Sequence, residues 1–203
     1  MIISAPEALQ RLQDGNQRYI SGKSENIRFD EDSRRKLAGG QDPYAVILGC
    51  SDSRVPAELV FDQGLGDLFV IRVAGNIIAP SLIGSVEFAA SMFGVRLVVV
   101  LGHTSCGAIE ATIKELKQPD TIVSPNLAAI VNRVSPAVKS LMETELVNDH
   151  EQLVKTAIRA NIRASMAQLN AGSAILQDLT QTDGLQIVGA EYNLSSGAVE
   201  FLN

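Results

Sequence analysis

A chain of 203 residues is long enough to bury a core of its own, and 46% hydrophobic with 20% charged residues is the balance of a globular domain, which excludes a disordered chain. The formal net charge of -6, with no basic run and no interleaving of aromatic and basic residues, excludes a nucleic-acid surface. The longest apolar runs, such as Leu97 to Leu101, have the length of strands and not of membrane spans. The start, MIISAPEALQRL, lacks a basic segment leading into an apolar one, so no secretory signal and a cytoplasmic location are expected.

In chain order, Ser4 and Glu7 have capping-box spacing, and Ala8, Leu9, Leu12 and Tyr19 recur at helical intervals, which predicts a first helix that stops near Ser21-Gly22. A polar segment from Lys23 to Gln41 follows, with a short charged helix around Asp32 to Leu37, so that about residues 4–40 form an N-terminal helical arm of one domain spanning 1–203. Tyr44 to Leu48, Leu68 to Ile71 and Leu97 to Leu101 are short apolar runs with the look of buried strands. Between the last two, Ser81 to Phe93 places Ile83, Val86, Ala90 and Phe93 on one side of a helix that Gly94 stops. Further helices are predicted over Ala108–Leu116, Asn126–Leu146 and His150–Leu169, with Pro136 breaking or bending the second of these. Leu185–Leu194, a turn at Ser195–Gly197 and Ala198–Leu202 predict a closing hairpin. The expected fold class is α/β: a mostly parallel central β-sheet flanked by helices, with an antiparallel C-terminal strand or hairpin.

The two cysteines, Cys50 and Cys106, lie too far apart for a dithiol redox motif, and a single bridge adds little to a domain of this size. They meet, if at all, through the fold, as metal ligands or around a nucleophile. Cys50 falls just beyond the carboxyl end of the first strand and His103-Thr-Ser-Cys106 just beyond the third, where ligands gather in open parallel sheets. Two thiolates and an imidazole suit zinc, and three protein ligands leave a fourth position for water, the mark of a catalytic site. Cys106 at a helix start gains thiolate character from the helix amino terminus. Asp52 and Arg54, at alternate positions of an extended segment, are expected to pair beside the metal. Taken singly, a buried cysteine is a small hydrophobe; the joint placement at two strand ends carries the metal reading. His150 is read as a solvated capping residue.

Cys50-Ser-Asp-Ser-Arg54 with Val55-Pro56, and His103-Thr-Ser-Cys106-Gly107, resemble the two signature segments of beta-class carbonic anhydrases, and the likeness extends through Phe61–Arg72 and Gly189–Tyr192 to nearly the whole chain. The resemblance implies a zinc enzyme (Zn2+ on Cys50, His103 and Cys106) that reversibly hydrates carbon dioxide to bicarbonate. A zinc-held hydroxide would attack the substrate, oriented by Asp52, which Arg54 holds away from the metal. It assigns Gln41, Phe69, Ala74, Phe88 and Gly107 to the substrate site. It further implies that Gln41 and the aromatic lining come partly from a neighbouring subunit across a dimer interface, so a homodimer or homotetramer is expected. Gln41, together with Ile47 where the closing subgroup carries Trp, places the chain in the always-open subgroup; in the other, Asp52 would become the fourth ligand.

Three rival readings stay open on sequence grounds. A carbon disulfide or carbonyl sulfide hydrolase would share the scaffold and ligands. A non-catalytic zinc-binding paralogue would normally lack a ligand, the aspartate or the arginine. A cysteine-nucleophile enzyme with Cys106 activated by His103 would leave the second thiol and the Asp52–Arg54 pair without a role.

Overall fold

The structure, a computed structural model, describes residues 2–25 and 31–202. Part of the predicted polar segment, residues 26–30, lies outside the described residues. Five strands form one sheet in the order β2-β1-β3-β4-β5. They are β1 (Ala45–Gly49), β2 (Leu68–Arg72), β3 (Leu97–His103), β4 (Gln186–Tyr192) and β5 (Val199–Leu202). The first four run parallel, and β5 returns antiparallel to β4, Tyr192 facing Val199 and Gly189 facing Leu202. This is the predicted architecture, closing hairpin included.

Strand β1 is buried along its whole length, which is why it reads as a continuous apolar run. Its side chains alternate between two cores. Val46 and Leu48 face one that contains Val98, Val100, Ile109, Val134, Ile158 and Ile162, under the helices α4 (Pro80–Met92), α5 (Gly107–Lys117), α6 (Pro125–Lys139), α7 (His150–Ala171) and α8 (Ala174–Thr182). Ala45 and Ile47 face a second core with Leu12, Phe61, Val99 and Tyr192, covered by α1 (Ala5–Ile20) and α3 (Ala57–Val60). The short α2 (Glu31–Leu37) precedes β1.

The helix α1 begins where its cap predicts, with Ser4 Oγ accepting from the Glu7 amide. It docks through Ala5, Ala8 and Leu12, and a glycine lets it approach closely: a β-carbon at Gly15 would lie 1.8 Å from the Phe61 carbonyl oxygen. The neighbouring Asn16 is buried with its amide fully used, donating to the carbonyls of Val60 and Gly197 and accepting from the Val199 amide.

Two local expectations are corrected. Helix α6 does not break at Pro136 but runs on to Lys139, then gives way to 3-10 turns at Ser140–Glu143 and Glu145–Asn148. Proline costs one hydrogen bond, and so near the end of a helix that loss leaves the earlier turns intact. The cap of α7 is Asp149, whose carboxylate accepts from the Gln152 amide; His150 is the first helical residue and pairs with Glu110 at 3.1 Å. Helix α3, the 3-10 turn Ala74–Asn76 and helix α8 were not predicted; the first two are too short to show a period.

Candidate metal centre

Because β2 lies on one side of β1 and β3 on the other, the carboxyl ends of β1 and β3 form a switch point of the sheet. The chain leaves β1 through Cys50 and β3 through His103, and α5 starts immediately after Cys106. Ligating atoms of Cys50, His103 and Cys106, all buried, lie within 4.8 Å of one another. Each segment is held from outside. Arg72, at the end of β2, donates to the carbonyls of Cys50 at 2.9 Å and Asp52 at 2.5 Å. The Thr104 amide donates to the Tyr192 carbonyl, and Thr104 Oγ1 accepts from the Leu194 amide. Ser105 adopts a φ of 55°, which turns the chain sharply between His103 and Cys106.

The imidazole of His103 is oriented for ligation. Nδ1 lies 2.9 Å from the Thr104 carbonyl, which can only accept, so the ring proton sits on Nδ1. Nε2 is left with its lone pair beside the sulfurs, fully buried and without a hydrogen bond of ordinary geometry among the described residues. A buried acceptor without a partner is costly unless something binds it, and the donor set around Nε2 fits a cation that would do so. Burial opposes protonation of His103, but the adjacent Cys50 sulfur and the Thr104 carbonyl outweigh it and raise its pKa.

The two thiols differ. Cys50 is held well below the ordinary range, chiefly by a hydrogen bond from Cys106, against burial, and with help from His103 and the amides of Gly75 and Asp52. Cys106 is pushed up by that same bond and by burial, although the amides of Ala108 and Ile109 at the start of α5 face its sulfur. The two thiols thus act as a pair that shares a proton, which a divalent cation would displace on binding.

Asp52 and Arg54 do pair, but not by alternation along an extended segment. Residues 53–54 form a turn, in which Asp52 Oδ1 accepts from both the amide and Nε of Arg54, and Oδ2 accepts from the terminal guanidinium nitrogen at 2.7 Å. A short polar side chain that bonds the backbone two residues on favours such a turn over an extended path. The Arg54 hydrogen bonds, working against burial, keep the Asp52 carboxyl well below the usual carboxylate range. Its Oδ2 stands 3.9 Å from His103 Nε2, at the edge of the ligand cluster. Arg54 also reaches the Ser105 carbonyl and so joins the two ligand-bearing segments.

Two groups of residues in the one constellation thus meet as predicted. A third does not meet them within one chain. Gln41 is exposed and precedes β1, at the opposite end of that strand from Cys50. Phe69 stands level with Val46, roughly 13 Å down the strand from Cys50 at about 3.3 Å per residue. There it joins Phe88 and Phe93 in an aromatic cluster with ring centroids 5.6–6.3 Å apart. Ala74 is half-buried in the turn after β2, and Gly107 is exposed as the first residue of α5.

The carbonic anhydrase family model matches residues 45–199, a span that includes both ligand segments and Asp52–Arg54. The chain belongs to the beta-carbonic anhydrase family. It is 38% identical to carbonic anhydrase 2 of Mycobacterium tuberculosis over 192 residues, covering 94% of this chain and 89% of that protein. To the carbonic anhydrase of Mycolicibacterium smegmatis it is 37% identical, covering 95% and 91%. The solved beta-carbonic anhydrase CcaA superposes with a TM-score of 0.77 at 27% identity, over 96% of this chain and 95% of that one. The tetrameric beta-carbonic anhydrases of Sordaria macrospora share the fold, with a TM-score of 0.76 at 23% identity. This beta-carbonic anhydrase is accordingly an enzyme of the lyase class, a carbonate dehydratase.

Sequence reasoning missed the residues that brace the enzyme's site: the carbonyl clamp by Arg72, the Gly75 amide on Cys50, and the polar side chains of α7 behind it. The available signal was Asn161 and Ser165, two polar residues four apart on the face of α7 that also carries Ala157, Ile158 and Ile162.

Proposed function

We propose that the chain reversibly hydrates carbon dioxide to bicarbonate at a zinc ion held by Cys50, His103 and Cys106, with the fourth position left for water. The observation that carries this is the convergence of two thiols and an imidazole at one switch point, beside a carboxylate whose two oxygens are both held by Arg54. Zinc bound by such a set lowers the pKa of water to about 7 and so supplies a nucleophile at neutral pH.

The chain's own residues do the rest. Asp52, kept ionised by Arg54, accepts a hydrogen bond from the reacting water and fixes its orientation. Because Arg54 engages both carboxylate oxygens, Asp52 is held at the edge of the ligand cluster, which supports an open site. The amide of Gly107, at the amino terminus of α5, lies where charge developing on a substrate oxygen is stabilised. Cys50 and Cys106 sit in the apolar core under α4–α7, which keeps bulk water from the sulfurs.

Gln41 and the Phe69–Phe88 cluster serve the site of a neighbouring copy, because within one chain they lie away from the ligands. Phe88 and Met92 are 49% and 66% exposed on α4, an apolar face that a second copy covers. The enzyme therefore works as a homodimer, or as pairs of dimers.

Replacing Cys106 by Ala removes a ligand, and bound zinc and carbon dioxide hydration are expected to disappear together; a metal-free variant with full activity would sink the reading.

A further inference from the structure

The amide of Gly75, in the turn after β2, donates to Cys50 Sγ at 3.3 Å. Gly75 has a φ of 72°, and Asn76 beside it a φ of 42°. Two successive residues in the left-handed region make a strained turn, since only glycine enters it freely and asparagine at moderate cost. Space demands glycine as well, because a β-carbon at position 75 would meet Ala108 Cβ at 2.9 Å. Inside the turn, the Asn76 amide donates to the Val73 carbonyl, and the Val73 amide to Gly49, the residue before Cys50.

The turn is held from behind by α7. Asn161 Nδ2 donates to the Gly75 carbonyl at 2.8 Å, and Ser165 Oγ to the Asn76 carbonyl at 2.9 Å. Four residues apart, the two side chains share one helix face. They are buried, at 2% and 3% exposure, among apolar neighbours, where a polar side chain is costly unless its bond is needed. The same helix lays Ile158 and Ile162 against Gly102, the residue before His103. One helix thus braces both segments that carry ligands.

We propose that Asn161 and Ser165 are positioning residues for the metal centre: they lock the left-handed Gly75–Asn76 turn so that the Gly75 N–H stays aimed at the Cys50 sulfur. An N–H···S bond draws electron density from a thiolate and fixes its direction, so these two side chains set how strongly Cys50 binds the metal. The proposal rests on the reading of Cys50, His103 and Cys106 as ligands.

Cobalt(II) replaces zinc in the test because its thiolate charge-transfer and ligand-field bands report the sulfur donor directly. In Ser165→Ala and Asn161→Ala the charge-transfer band is expected to move to lower energy, and cobalt affinity, read by chelator competition, to fall roughly 10–100-fold. Ser165→Thr, which keeps the hydroxyl, restores both. Ser173→Ala is the control: it removes another buried hydroxyl, one that caps α8 and pairs with Glu87, and leaves the bands in place. If Asn161→Ala fails to fold, the Ser165 series decides alone. Unchanged bands and affinity in Ser165→Ala overturn the proposal, as does an equal shift in Ser173→Ala. A wild-type protein with no cobalt–thiolate band overturns the ligand reading, and the proposal with it.

Discussion

Asp52 is engaged on two sides. Arg54 fills both of its oxygens, and the oxygen facing inward stands 3.9 Å from the histidine nitrogen that is free to ligate. In the proposed reaction it accepts a hydrogen bond, and an amide in its place would present either a donor or a weaker acceptor and lose the charge that Arg54 holds. Asp52→Asn is expected to retain stoichiometric zinc while turnover falls about 10–100-fold, the loss typical of removing an orienting partner next to a metal. Metal analysis and rate measurement on the same sample check this, and normal turnover would contradict the assigned role. The pairing of Asp52 with Arg54 was legible in the sequence although its geometry was not: alternation put both side chains on one side of an extended segment, whereas the structure makes an aspartate turn. Spacing reports proximity for either path. The bracing residues were illegible for a different reason, since Asn161 and Ser165 act on backbone carbonyls 86 and 89 positions away, and no local pattern names such a partner.

At the scale of elements, strands β1 and β3 were readable because strands buried on both faces are unbroken apolar runs, β2 because it is a short apolar run, and the closing hairpin because a turn at Ser195–Gly197 separates two strand-like segments. Helix ends were readable where a cap side chain or glycine marks them, as at Ser4 and Gly94. The failures have local causes: α3 is four residues long, and Pro136 falls where α6 has few hydrogen bonds left to lose. Helix α4 carries a further consequence. Its low amphipathicity follows from being apolar on both sides, Val86, Ala89 and Ala90 inward and Phe88 and Met92 outward. An outward face of this kind calls for a cover. Light scattering is expected to give at least twice the chain mass, and Phe88→Asp to shift the enzyme towards the monomer with loss of activity, because the partner's site loses its lining. A fully active wild-type monomer at micromolar concentration would contradict the shared site.

For the whole molecule, the sheet order makes the site. Placing β2 and β3 on opposite sides of β1 brings two cysteines from distant parts of the chain to one crevice, and the helices above β1 and β3 bury them. The sequence signatures and the family match agree because the same few residues must satisfy both the topology and the donor set. Everything then turns on whether activity follows a metal at that crevice. The direct measurement is stopped-flow carbon dioxide hydration during zinc titration of the chelator-stripped enzyme, with metal content read on the same samples. The account predicts no hydration in the stripped protein and a rate that rises in proportion to zinc until one ion is bound per chain; a stripped enzyme as fast as the reconstituted one would contradict it.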